Sequence, residues 1–144
     1  VILERFEVLV RSLKQILDFK VGLQQPLEHH YVPGKWSIAQ MFMNKLDMER
    51  VFHYRAWRFL GGDNTPLTGF DKDEFVGALG DLVPIAIGIA KADLKQLFAI
   101  TRTLTIDIFK NASSDQLQFK GNASGKNITA RVIPFFHSWI QQTS

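Results

Sequence analysis

The sequence predicts an all-α fold, a single antiparallel up-down four-helix bundle filling residues 1–144. Apolar residues recur at three- and four-residue steps in separate stretches, the spacing that puts them on one face of a helix. Turn formers separate the stretches. A content of 46% hydrophobic and 22% charged residues, with twelve Phe, is that of one globular domain with a bulky aromatic core.

The first helix is expected over roughly 2–22, where Leu3, Phe6, Leu9, Val10, Leu13, Ile16 and Leu17 alternate with charged and amide residues. Gln25-Pro26 marks a turn, and Val32-Pro33-Gly34-Lys35 blocks any continuation toward Trp36. The second helix starts after Ser37. In Ser37-Ile38-Ala39-Gln40 the Ser hydroxyl can accept from the Gln40 N–H while the Gln side chain reaches back, a capping box. No breaker follows until Gly61-Gly62.

Asp63 to Gly69 is rich in turn formers and predicts a loop, followed by a short helical stretch over Asp71 to Leu79. Gly80, Pro84 and Gly88 make the next segment irregular, either a loop over a pocket, a dimer contact or an irregular helix start. A third helix is expected from about Ala90 to Asn111, with Leu94, Leu97, Phe98, Thr101, Leu104, Ile108 and Phe109 inside. Gly121 to Asn127 predicts a loop, and Ile128 to Gln142 a fourth helix, kinked where Pro134 removes a backbone donor.

Composition narrows the function classes. A net charge of +3, with basic residues scattered among acids, argues against a nucleic-acid partner despite a pI near 9.3. No stretch is long and apolar enough to span a membrane, the run from Leu82 to Ala90 being about half of what is needed. The first residues lack the pattern of a signal peptide, so a cytoplasmic location is expected. Without cysteine there is no disulfide and no thiolate ligand or nucleophile. The triplets at Asn111, Asn122 and Asn127 fit the glycosylation pattern and read as coincidence in the absence of any sign of secretion.

Placed at 100° per residue, the second helix gathers Asn44, Asp47, Met48, Val51 and Arg55 into one sector. Asn44, Asp47 and Arg55 could form a structural hydrogen-bond network there, or line a ligand pocket. Asp47 points nearer the solvent arc. Glu49 lies on another side, among Ile38, Phe42 and Ala56, and calls for a Lys or Arg from another helix. His29 and His30 fall in the turn before this helix, and His53 faces away from Asn44.

Pro33-Gly34-Lys35-Trp36-Ser37-Ile38-Ala39-Gln40, then Asn44, Leu46-Asp47, Glu49-Arg50-Val51-Phe52 and Tyr54-Arg55-Ala56, resemble the DinB/YfiT-like superfamily. The similarity continues through Arg58-Phe59, Gly62-Asp63, Thr65-Pro66-Leu67, Gly69-Phe70-Asp71, Asp73 and Arg102-Thr103-Leu104 to the loop from Gly121 to Gly125. That resemblance implies a four-helix bundle holding a divalent metal, nickel or zinc, by one histidine of the second helix and an H-x-x-x-H pair of the last. Members are linked to thiol transfer, isomerisation or hydrolysis.

Here the first histidine position holds Asn44. Counting on from Arg131 without a gap puts the other two at Ile140 and Ser144, the preferred register; a three-residue shift puts them at His137 and Gln141. Amide oxygens are weak ligands for zinc or nickel and suit harder cations. Either register leaves a degraded triad, with Asn44, His137 and Gln141 as the remaining metal candidates. No cofactor is firmly implied. The sequence thus suggests a small-molecule-binding or interaction protein, with a homodimer as a candidate assembly and a pocket of Asn44, Asp47, Met48, Val51, Arg55, His137 and Ile140. The alternative is a divergent metal-dependent enzyme with an unconventional site, or metal-free acid–base chemistry at Glu49 and Arg55. The sequence leaves open whether the protein is an enzyme.

Overall fold

A computed structural model of the chain describes Glu7, Val10, Arg11 and residues 27–69, 71–79 and 91–135. Four α-helices lie among them: α1 (Ile38–Leu60), α2 (Lys72–Leu79), α3 (Lys91–Lys110) and α4 (Ser114–Gln118). They are accompanied by a two-stranded antiparallel sheet, β1 (Lys120–Ala123) and β2 (Lys126–Thr129), and a 3-10 turn over Ala130–Val132. Glu7, Val10 and Arg11 are helical, while the rest of the expected first helix and the segment 80–90 lie outside the described residues. No helix among the described residues is long and apolar enough to cross a membrane.

Helix α1 starts where local chemistry sets it. The Gln40 N–H donates to Ser37 Oγ at 3.1 Å and the Ser37 N–H to Gln40 Oε1 at 2.9 Å. Its end is a tight reversal, with Gly61 N–H bonded to the Trp57 carbonyl and Gly62 at φ 75°, a conformation open to glycine at little cost. A second capping box, Ser113 with Gln116, opens α4. The Gln116 amide then donates to the Leu60 carbonyl at 3.2 Å, which ties α4 to the end of α1.

The described residues do not form the expected all-α up-down four-helix bundle: long and short helices share the fold with a two-stranded sheet, and two features overturn the expectation. First, α1 and α3 run parallel. Glu49 meets Arg102 and, one turn further along both helices, His53 meets Thr105. A parallel pair needs a long return path, which the segment between Leu60 and Lys91 supplies; short loops would have given antiparallel neighbours. Second, the expected loop from Gly121 to Asn127 is a hairpin, with Lys120 opposite Thr129 and Ala123 opposite Lys126. Ser124 and Gly125 both have positive φ, 53° and 75°, the two-residue turn whose twist suits antiparallel strands.

The fourth helix consequently does not begin at Ile128, which lies in β2; residues 133–135 are helical after the 3-10 turn. Pro134 therefore falls in a first turn, where a missing N–H is harmless, and causes no kink within the described residues.

The apolar core sits where the last turns of α1 and α3 meet the hairpin. Ala56, Phe59 and Leu60 pack with Phe109, Ala112, Leu117, Ala123, Ala130 and Ile133. Gly121 lies flat on the Phe59 ring, and a Cβ at that position would collide with it. The loop after α1 joins the sheet edge: Leu67 N–H donates to the Asn122 carbonyl at 2.9 Å and Ser124 N–H to the Leu67 carbonyl at 3.0 Å. Leu104, expected inside, is 57% exposed, because Arg102 and Thr105 take the positions facing α1.

Candidate ligand site on helix α1

One side of α1 is a closed polar seam. Arg102 Nε donates to Glu49 Oε1 at 2.6 Å and Nη2 to Oε2 at 3.0 Å, with both side chains fully out of contact with solvent. The cationic partner expected for Glu49 is thus an arginine of α3. A two-pronged contact of this kind compensates the heavy cost of burying each charge. Next to it, His53 Nδ1 lies 2.9 Å from Thr105 Oγ1, and the Thr105 hydroxyl also lies within reach of the Thr101 carbonyl. Burial holds the His53 imidazole below its usual pKa, against an opposing pull from Glu49.

Another face carries the opposite condition. Asn44 Oδ1 and Asp47 Oδ2, on adjacent turns, are buried and have no hydrogen-bond partner among the described residues. Asp47 is itself 6% exposed, where the helical wheel placed it near solvent. Its other oxygen accepts from Arg50 Nη1 at 3.2 Å. Burial nonetheless raises the Asp47 carboxyl above its usual pKa, with Arg50 opposing. A buried acceptor lacking a donor costs about 1–3 kcal/mol, so these two oxygens are an unmet demand; the third buried atom without a partner among the described residues, Arg58 Nε, lies near the other end of the same helix.

Further along the same sector Met48 and Val51 are half-buried, and so is Arg55. Arg55 Nη2 donates to Ser124 Oγ in the hairpin turn at 3.0 Å, and its guanidinium carbon lies 5.9 Å from the centre of the Phe52 ring. Burial lowers its pKa. The hydrogen-bond network considered for Asn44, Asp47 and Arg55 is not formed among the described residues, because each oxygen and the guanidinium look elsewhere or nowhere. His137, Ile140 and Gln141 lie outside the described residues.

Ser124 and Thr105 are the contacts that sequence reasoning missed. The Ser-Gly pair at 124 and 125 was the available signal for the first, since it marks a two-residue hairpin turn. Thr105 carried none, because a lone threonine on a helix face is unremarkable until the opposite helix is placed. His29 and His30 sit in the turn before α1, as expected, with His30 Nδ1 donating to the Lys35 carbonyl at 2.6 Å.

The described residues do not fit nickel or zinc. Asn44 and Asp47 offer an amide and a carboxylate oxygen, and the nearest imidazole on the same helix, His53, is turned toward Thr105. No group of three His, Asp or Glu that could hold a metal ion occurs among the described residues. No family model, curated protein or solved structure matches the chain.

Proposed function

We propose that the chain is a small-molecule-binding relative of the DinB/YfiT-like proteins in which the usual metal triad has been given up. The ligand lies against the sector of α1 that carries Asn44, Asp47, Met48, Val51 and Arg55. The observation that carries this reading is the pair of buried oxygens, Asn44 Oδ1 and Asp47 Oδ2, with no donor among the described residues. A ligand bringing N–H or O–H groups recovers the lost hydrogen bonds, whereas a purely structural role gives no reason to leave both unmet.

Acid–base chemistry at Glu49 draws no support from its surroundings, since both of its oxygens are held by one guanidinium in a solvent-free seam.

Metal content tests the reading directly. Protein purified without exposure to any chelator is expected to carry well below one equivalent of nickel, zinc or manganese by elemental analysis. A value near one equivalent for any of them would return the chain to metal-dependent chemistry and end this proposal.

A further inference from the structure

Arg55 is a cation whose recognition geometry is largely unused among the described residues. It is half-buried, yet none of the ion pairs among the described residues involves it; its contacts there are Ser124 Oγ and the Phe52 ring. A guanidinium has five N–H donors in a planar fork, and the Ser124 contact uses one. The neighbouring arginines are spoken for: Arg58 pairs with Asp63 and bonds Tyr54 Oη, Arg50 pairs with Asp47, and Arg102 with Glu49.

The partner on the hairpin is held in place. Ser124 sits in the left-handed region of the turn, its backbone N–H is bonded to the Leu67 carbonyl, and Gly69 packs so close that a Cβ there would come within 2.9 Å of Ser124 Oγ. Because Ser124 Oγ accepts from Arg55, its own proton remains available to a second acceptor. Two donors from different elements, Arg55 on α1 and Ser124 on the hairpin, thus converge at one point.

We infer that Arg55 and Ser124 form an oxyanion subsite that receives the carboxylate or phosphate group of the small molecule proposed above, and the inference rests on that reading. The two flat oxygens of such a group match the guanidinium fork. The apolar flank of the same sector, Val51 and Met48, leads from Arg55 toward Asn44 along α1. The ligand class is therefore an anionic group on an apolar body, with hydrogen-bond donors at the Asn44 end.

Titration calorimetry with hexanoate, inorganic phosphate, hexanol and hexylammonium tests this on the full chain. At least one of the two anions binds the wild type, and Arg55→Gln weakens that binding by about tenfold to a hundredfold, the range for hydrogen bonds to a charged group. Arg55→Lys, which keeps the charge and loses the fork, weakens it as well, and Ser124→Ala does so less. Circular dichroism verifies that each variant is folded, and Arg55→Lys stands in should Arg55→Gln not fold. Preference for hexanoate or for phosphate identifies which group the subsite takes. If neither anion binds, or if both arginine variants bind as tightly as wild type, the oxyanion subsite is overturned. Binding of hexanol or hexylammonium that depends on Asn44 would, in that event, keep the ligand-binding reading alive without it.

Discussion

Two sides of helix α1 face opposite electrostatic fates. Toward α3, Glu49 and His53 meet Arg102 and Thr105 across a seam in which every charge has a counter-charge. On the sector of Asn44 and Asp47, oxygens equally removed from water have no donor among the described residues, and Arg55 has no acid among them. Both arrangements occur on one helix with the same local propensities, so the difference comes from what each side faces rather than from the helix itself. A satisfied seam fixes which helices pair and in what register; a sector with unmet acceptors is the one on which the proposed ligand would gain hydrogen bonds.

The largest effect expected of that contrast is at the seam. Glu49→Leu or Arg102→Met alone leaves one buried charge uncompensated and is expected to cost about 3–5 kcal/mol in urea unfolding. The double variant should recover most of that loss, ending within about 1 kcal/mol of wild type. Additive losses in the double variant would mean that the two side chains do not act as a pair.

A smaller change of the opposite sign is expected at Asn44. Asn44→Leu removes an acceptor that has no donor among the described residues, and stability should stay level or rise by up to about 1 kcal/mol. A clear destabilisation would show that Asn44 is already satisfied in the free protein and would erase the asymmetry between the two sides.

The smallest effect is the pH dependence of the seam. His53 has its pKa lowered from 6.5 by burial, so the unfolded chain takes up its proton first. The stability this residue contributes is whole above 6.5 and is lost as pH falls through the lower value in the folded state. Unfolding midpoints of wild type and His53→Gln, compared from neutral pH downward, should therefore differ in slope below that point, with the variant flatter. Parallel curves would place His53 outside the seam. Asp47, with its carboxyl raised by burial, works in the reverse sense: its contribution is present below its usual value of 3.8 and fades as pH rises past the raised one.

Much of the local structure was written in short-range chemistry. Ser37 and Gln40 begin α1, Gly61 and Gly62 end it, and the apolar spacing places α3 within a residue or so of its observed limits. That Glu49 requires a cation followed from its apolar neighbours, but that the cation is Arg102 could not, because the two are 53 residues apart and the relative direction of the helices was open. The same gap produced the wrong topology. The hairpin was overlooked because its strands are four residues each and lack an apolar alternation strong enough to outweigh their Gly, Asn and Ser content. With the hairpin read as a loop, the Arg55–Ser124 contact had no place to form. Asp47 was misplaced because a helical wheel gives direction only, and burial depends on what covers the helix.

The parallel pairing of α1 and α3 also governs how the chain can assemble. The hairpin joins residues at most nine apart, from Lys120 to Thr129, whereas the Glu49–Arg102 seam closes a span of 53. Closing the larger loop costs roughly 1.5 kcal/mol more in chain entropy, and nothing rewards it until the two helices meet. Hairpin and helices are built from local contacts, while the contact that orders the two long helices must close a loop several times larger and is therefore kinetically more expensive than either.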